Sequence, residues 1–311
     1  MNAVESTNLT KTYHHHTAVD SISLAVPAGV TCGFLGKNGA GKTTTIKMLT
    51  GLKRPTSGSF SILGEEIPYG KENLGIGYLP DVPNFYPYMT ATEFLNLCGK
   101  LCGIPNEKRN AQIAHLLKQV GLDHVSTCIG GYSRGMKQRL GIAQALIHNP
   151  SVIFMDEPIS ALDPSGRRDV MEIISELKEQ TVIFSTHILA DVEGACDYIL
   201  IIDQGKLLMS AYLADLYQQF SKNQVQAMCF TNEQAQKISA SLQSVEPLRT
   251  AQTDSRTLIV SSDVMDPAAI GQHVLSHVGQ MGIPLQHFAV HQPTLDEIFH
   301  EIVSRGEVPH A

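Results

Sequence analysis

Apolar and polar positions alternate in short runs from residue 4 to residue 35, and this period of two predicts strands, the last of which, the largely apolar Val30 to Leu35, feeds a glycine-rich turn. From about Thr90 to Asn149 the spacing becomes helical, with Gly103, Pro105 and Gly121 as breaks, and predicts an inserted helical subdomain. After Pro150, the apolar run Val152 to Met155, a helix from about Ser165 and a second run, Val182 to Phe184, predict strand, helix, strand, the βαβ unit of a parallel sheet. The polar stretch QQFSKNQ past Tyr217 predicts a linker. Beyond it the pattern reads strand, helix, strand, strand, helix, strand, a small α+β domain of ferredoxin-like type. In the closing TLDEIFHEI, Thr294 and Glu297 make a capping box, and Leu295, Ile298, Phe299 and Ile302 fall on one helix face. The chain carries no internal repeat and no low-complexity tract.

At 311 residues the chain exceeds the usual single domain, which predicts one full-sized core and a smaller second domain. Hydrophobic residues at 43% and charged residues at 17% are a globular balance. A net charge of -7 argues against a general nucleic-acid binder, which needs clustered Lys and Arg. Of the six cysteines only Cys98 and Cys102 share a local spacing, so no zinc framework is expected; they read as small buried hydrophobes one helical turn apart, and a reducing compartment fits. The first residues, MNAVESTNLTKTY, show no signal-peptide pattern, and no apolar stretch approaches the ~20 residues of a membrane helix. His14, His15 and His16 read as a solvated loop.

The stretch GKNGAGKTT, Gly36 to Thr44, fits G-x-x-x-x-G-K-[ST] and lies between a predicted strand and a predicted helix, the setting of a phosphate loop. Backbone N–H groups at a helix start meet polyphosphate charges at no ionisation cost, where side chains would obstruct. Gly36, Gly39 and Gly41 permit the tight path that Lys37, Asn38, Ala40 and Thr44 complete. Lys42 is placed for the β- and γ-phosphates and the Thr43 hydroxyl for Mg2+. Such a loop alone leaves kinases, GTPases and many ATPases open.

Four further stretches narrow the choice. In YSRGMKQRL, Tyr132 to Leu140, Ser133 can cap a helix whose buried face is Met136, Leu140, Ala143 and Ile147. Arg134 and Lys137 sit in its first turn, where the helix dipole disfavours cations, a conflict an anion would relieve. VIFMDEP, Val152 to Pro158, is an apolar strand ending in two acids, Asp156 and Glu157. SALDP, Ser160 to Pro164, suits a turn and helix cap. STH ends in His187 directly after the Val182 to Phe184 strand.

With the phosphate loop, these stretches in this order resemble the ABC ATPase family over roughly residues 1 to 218. The resemblance implies an α/β P-loop NTPase core at 1–220, with an antiparallel β-subdomain and a helical subdomain at about 84–150, and leaves 221–311 as an accessory α+β domain similar to the C-terminal extension of some exporter ATPases. It implies ATP and Mg2+ as ligands. Asp156 would hold Mg2+ through water, together with Thr43, and Glu157 would act as general base. His187 would reach the γ-phosphate and orient Glu157 and water. Ser133, Arg134, Gly135 and Met136 would complete the ATP site of an opposing subunit, and Ser160 and Asp163 would lie in the loop across the dimer interface. Arg134 replaces a glycine of the usual signature, a variant similar to bacterial export-type members. Asp81 stands where the family has glutamine or glutamate contacting Mg2+, on a shorter side chain. Tyr13 matches the aromatic that stacks on adenine, or is a core residue. Phe85, Tyr86 and Tyr88 cluster where the family receives its partner's cytoplasmic helix, or are core.

The expected function is therefore that of an ATP-hydrolysing subunit of an ABC transporter, of exporter type. It would drive a separate integral membrane permease through ATP-dependent homo- or heterodimerisation, from the cytoplasmic face of the cell membrane. The alternative is a soluble ATPase of the same family with a regulatory C-terminal domain and no transport role.

Overall fold

A computed structural model describes residues 1–67, 69–70, 75–220, 223–243 and 245–305. Strands β1 (Asn2–Tyr13), β2 (His16–Pro27) and β3 (Thr31–Leu35) lead into helix α1 (Lys42–Leu49), followed by β4 (Ser57–Ile62), β5 (Glu65–Glu66) and β6 (Ile76–Leu79). Three helices come next, α2 (Ala91–Leu101), α3 (Asn106–Gln119) and α4 (Arg134–Leu146). The chain continues through β7 (Val152–Met155), α5 (Pro164–Glu176), β8 (Thr181–Thr186), the short α6 (Ala190–Glu193), β9 (Tyr198–Asp203), β10 (Lys206–Tyr212) and α7 (Leu213–Phe220). It closes with β11 (Gln224–Cys229), α8 (Asn232–Leu242), β12 (Arg249–Gln252), β13 (Thr257–Ser261), α9 (Pro267–Met281), β14 (Leu285–Val290) and α10 (Leu295–Arg305). These fall into two compact units, Met1–Leu213 with the stretch from Phe299 onward, and Ala214–Ile298.

The first unit holds two sheets. One is antiparallel, in the order β2-β1-β4-β5; the other runs β10-β9-β3-β8-β7-β6, parallel except for β10. Every residue of β7 and β8 is buried, which explains why these segments are apolar runs without alternation. β2 keeps the alternation: Val19, Ile22, Leu24 and Val26 turn inward and join Val4, Phe34, Ile46, Phe60, Phe154 and Leu200 in one core. Helix starts carry their own caps. Thr90 and Glu93 form a capping box on α2, Ser133 caps α4, and Asp163 caps α5 ahead of Pro164 at its first position. Cys98 and Cys102 are half-buried rather than core residues, because α2 turns that side partly to solvent.

The buried Arg109 joins α2 to α3 by donating to Asn96 Oδ1 (2.7 Å), the Ile104 carbonyl (2.6 Å) and Asn106. The second unit is a four-stranded antiparallel sheet in the order β12-β13-β11-β14, built from β, α, β, β, α, β, the ferredoxin-like arrangement. Val225, Ala227, Leu258 and Val260 of its sheet pack against Ala235, Ile238, Ile270 and Val274 of α8 and α9. Among the described residues no helix is long and apolar enough to cross a membrane.

Candidate functional site

Parallel strands β3, β7 and β8 are adjacent, so the loops at their carboxyl ends meet at one edge of the sheet. After β3 the chain turns through Gly36–Gly41 into α1. Gly39 (φ 83°) and Gly41 (φ 111°) adopt a left-handed backbone, and a Cβ on Gly36 would sit 2.5 Å from the Ile202 carbonyl oxygen. No side chain caps α1 and no acid stands in its first turn, so its N–H groups face an open cavity. That cavity, about 380 Å³, is lined by Ala18, Lys37, Asn38, Gly39, Ala40, Gly41, Lys42, Thr43, Thr44, Asp81, Glu157, Ser160 and His187.

The reactive groups are tied together beneath it. Lys42 is buried, donates from Nζ to the Gly36 carbonyl at 2.7 Å, and lies 3.3 Å from Glu157 Oε1. Glu157 Oε2 is 2.9 Å from His187 Nδ1. Asp156, at the end of β7 and 2% exposed, accepts on Oδ1 from the Thr43 hydroxyl (3.0 Å) and the Ser185 hydroxyl (2.8 Å). The Ser185 oxygen in turn accepts the backbone N–H of Glu157 at 2.8 Å. Glu157 has φ 49°, a left-handed conformation that costs a non-glycine residue energy and is held here by that bond. Ser185 is absent from the sequence-derived site. Its signal was a hydroxyl directly after the apolar run Val182 to Phe184, two positions before His187.

Asp81 follows β6 and reaches the same cavity. Burial pushes its carboxyl above the usual range, as do Asp156 and then Glu157, while the charges of Arg134 and Lys47 oppose this. Its Oδ1 is buried without a hydrogen-bond partner, as is the phenol oxygen of Tyr78. Burial, with Asp156 and Asp81 beside it, pushes the Tyr78 phenol up to about 12. The hydroxyl of Thr43 and the carboxylates of Asp156 and Asp81 form an all-oxygen donor set with one orphaned acceptor, which fits a hard divalent cation. Among the described residues no group of three His, Cys, Asp or Glu is arranged to hold a metal alone. The donor set therefore suits a magnesium ion that arrives on phosphate oxygens.

Gly36 and Asp156 lie beneath the cavity lining, through the contacts just given, and three further sets of expected residues lie outside it. Tyr13 is hydrogen-bonded to Lys53 Nζ at 2.5 Å, and its ring lies under Lys53 (4.6 Å) and Lys11 (5.3 Å). Burial raises its phenol, but bonds to Lys53 and Thr44 and the two lysine charges bring it below the usual value. Ser133, Arg134, Gly135 and Met136 open α4, where the Ser133 oxygen accepts the Met136 N–H at 3.2 Å. Asp163 accepts the Gly166 N–H (3.2 Å) and the Ser165 hydroxyl (2.6 Å) as the cap of α5. The aromatic cluster divides: Phe85 packs edge-on against Phe94 at 5.0 Å, while Tyr86 and Tyr88 are 49% and 69% exposed.

The arrangement can cradle a polyphosphate on backbone N–H groups, bring Lys42 to it, and present a carboxylate held by an imidazole to a water molecule. Comparison with known proteins agrees with that chemistry. Residues 19–160 match the family described as ABC transporter. An uncharacterized ABC transporter ATP-binding protein of Bacillus subtilis (strain 168), YxlF, is 39% identical over 305 residues, 97% of this chain and 99% of that protein. The bacitracin transport ATP-binding protein BcrA of Bacillus licheniformis is 44% identical over 211 residues, covering 66% of this chain and 68% of its own. Among solved structures, MJ1267, an ATP-binding cassette of an ABC transporter in its ADP conformation, superposes with a TM-score of 0.63 at 26% identity over 69% of this chain and 92% of that one.

Proposed function

This chain belongs to the ABC transporter ATP-binding proteins, and from that membership we propose that it powers an exporter by closing on ATP as a pair and reopening on hydrolysis. It is an ATP-binding transport ATPase; the working cycle is what the residues add. The carrying observation is the chain of short contacts Thr43, Asp156, Ser185, Glu157, His187 around a single phosphate-loop cavity.

In this reading the loop N–H groups and Lys42 grip the β- and γ-phosphates, so the Lys42–Glu157 contact is exchanged for a Lys42–phosphate contact and Glu157 is left free to take a proton from water. His187 holds the Glu157 carboxylate in place. A magnesium ion held by Thr43, Asp156 and Asp81 would offset negative charge on the phosphate oxygens. Ser133 and Gly135 at the start of α4 serve the γ-phosphate of the opposing copy, because a capped helix start offers free N–H groups and Arg134 adds a cation. Ser160 and Asp163 lie on the face that copy approaches. No covalent intermediate is needed; positioning and electrostatics supply the acceleration.

Export is supported by the Ser133-Arg134-Gly135-Met136 form of the signature and by the likeness to a bacitracin transport protein. A membrane permease, docked on the exposed Tyr86 and Tyr88, would hold the pair at the cytoplasmic face of the membrane. The ferredoxin-like unit would act as an accessory module. The test is Glu157→Gln, which should bind ATP, form a nucleotide-dependent dimer and lose turnover. Near-normal ATP hydrolysis by that variant rejects Glu157 as the base, and a strictly monomeric protein with bound ATP rejects the paired cycle.

A further inference from the structure

The β1–β2 hairpin lies against the phosphate loop: a Cβ on Gly41 would sit 2.6 Å from the Ala18 carbonyl oxygen, and Ala18 itself lines the nucleotide cavity. Tyr13 ends β1 on this hairpin, paired with His16 of β2. Its phenol is hydrogen-bonded to the side chain of Thr44, a cavity-lining residue in the first turn of α1. The ring is half-buried, so part of it stays open beside the cavity.

The same phenol oxygen accepts from Lys53 Nζ at 2.5 Å. Lys53 follows the other end of α1, where Gly51 (φ 72°) turns the chain and the Lys53 N–H returns to the Lys47 carbonyl at 2.8 Å. The hydroxyl is thus held between the first turn of α1 and the loop after its last turn. The helix that begins in the phosphate loop therefore also fixes the ring. Two ammonium groups lie near that ring, Lys53 Nζ at 4.6 Å from its centroid and Lys11 Nζ at 5.3 Å. They differ in what they hold, because Lys11 donates instead to the Arg54 carbonyl at 2.7 Å.

We propose that Lys53 is a positioning residue for the nucleobase: with Thr44 it pins the Tyr13 ring by its hydroxyl, so that the base meets a platform already in place. This rests on the functional reading above and deepens it by naming the residue that sets the pose of the ring. A stacking ring adds fully to affinity when it is ordered beforehand; a ring that must be ordered on binding gives part of that gain back. Lys53 acts through the hydrogen bond, whereas Lys11 contributes charge alone.

The test compares Lys53→Met, Lys53→Arg and Lys11→Met in the full chain. Lys53→Met should raise the KM for ATP about fivefold with kcat within about twofold of the parent. It should leave competitive inhibition by inorganic tripolyphosphate, which has no base, unchanged. Lys53→Arg keeps a cationic donor and should restore most of the affinity. Lys11→Met removes the same charge but not the bond to the phenol, and should change KM by less than about twofold. In a Tyr13→Phe background Lys53→Met should have no further effect. An equal loss for tripolyphosphate, an equal loss from Lys11→Met, or a full loss in the Tyr13→Phe background would overturn the assignment. Ultraviolet titration of tyrosinate is independent of turnover, and the chain has nine tyrosines and no tryptophan to mask them. Lys53→Met should move one of them to higher pH, since the bond and charge that favour its phenolate are gone; an unchanged curve would overturn the link. A chain that neither binds nor hydrolyses ATP would overturn the functional reading instead, and the titration would still decide the link between Lys53 and Tyr13.

Discussion

Ser185→Ala removes one hydroxyl that serves two groups at once. The Asp156 carboxylate, 2% exposed, would lose its 2.8 Å donor and keep only Thr43, and the Glu157 N–H would lose its acceptor. A hydrogen bond to a charged group contributes about 1.5–3 kcal/mol, and a buried N–H left unpaired costs about 1–3 kcal/mol. The two share one oxygen and overlap, so the expected loss of stability is about 2–4 kcal/mol, readable as a shift in the urea midpoint at unchanged slope. The activity change should be separable from this. Glu157 at φ 49° has no other side-chain contact fixing its backbone N–H, so its carboxylate would move relative to the phosphate loop. A displacement of about 1 Å lowers turnover on the order of a hundredfold. The loop itself is untouched, so the KM for ATP should change little while kcat falls. A Ser185→Ala protein that unfolds within about 0.5 kcal/mol of the parent and turns over within about twofold of it would refute the reasoning.

Gly36→Ala should abolish ATP binding and destabilise the first unit, because its Cβ would lie 2.5 Å from a backbone oxygen that cannot yield; retention of nucleotide affinity would contradict the observed loop. Tyr88→Ala, at an exposed position, should leave stability within about 0.5 kcal/mol and ATP hydrolysis intact but remove co-purification with the permease, and an unchanged complex would reject docking there. The Cys98 thiol is pushed up to about 11 by burial and by Cys102, so the protonated form dominates through neutral pH. Its alkylation should rise about tenfold per pH unit between about pH 7 and 10; a rate that levels off above about pH 9 would show an ordinary thiol.

Short-range features were legible because each is encoded within a few residues. The phosphate loop needs glycines at fixed offsets, the Asp156-Glu157 pair follows an apolar strand, and the caps Ser133, Asp163 and Thr294 each stand three residues before the backbone N–H they accept. The alternating order of strands and helices likewise made the parallel sheet and the ferredoxin-like unit readable. Strands β4, β6, β9 and β10 were not singled out by alternation. β9 is buried at all but its last residue and so carries no period of two, β6 has only four residues, and the first three residues of β4, Ser57 to Ser59, are exposed and polar or glycine, so only Phe60 and Ile62 mark it.

What the chain alone determined is which chemical groups are present and what local conformation each prefers, since backbone sterics and periodicity act over one to four positions. Which groups meet was decided by the sheet. The order β3-β8-β7 brings Thr43, Asp156 and Ser185 into hydrogen-bond contact although the bonded pairs are 29 and 113 positions apart. The same order made Ser185 the bridge between Asp156 and Glu157, while contacts outside that sheet put the Tyr13 ring beside Lys53 and Lys11 and packed Phe85 on Phe94, leaving Tyr86 and Tyr88 exposed. Those outcomes depend on strand neighbours and burial, quantities that exist only once distant segments have been brought together and water has been excluded between them.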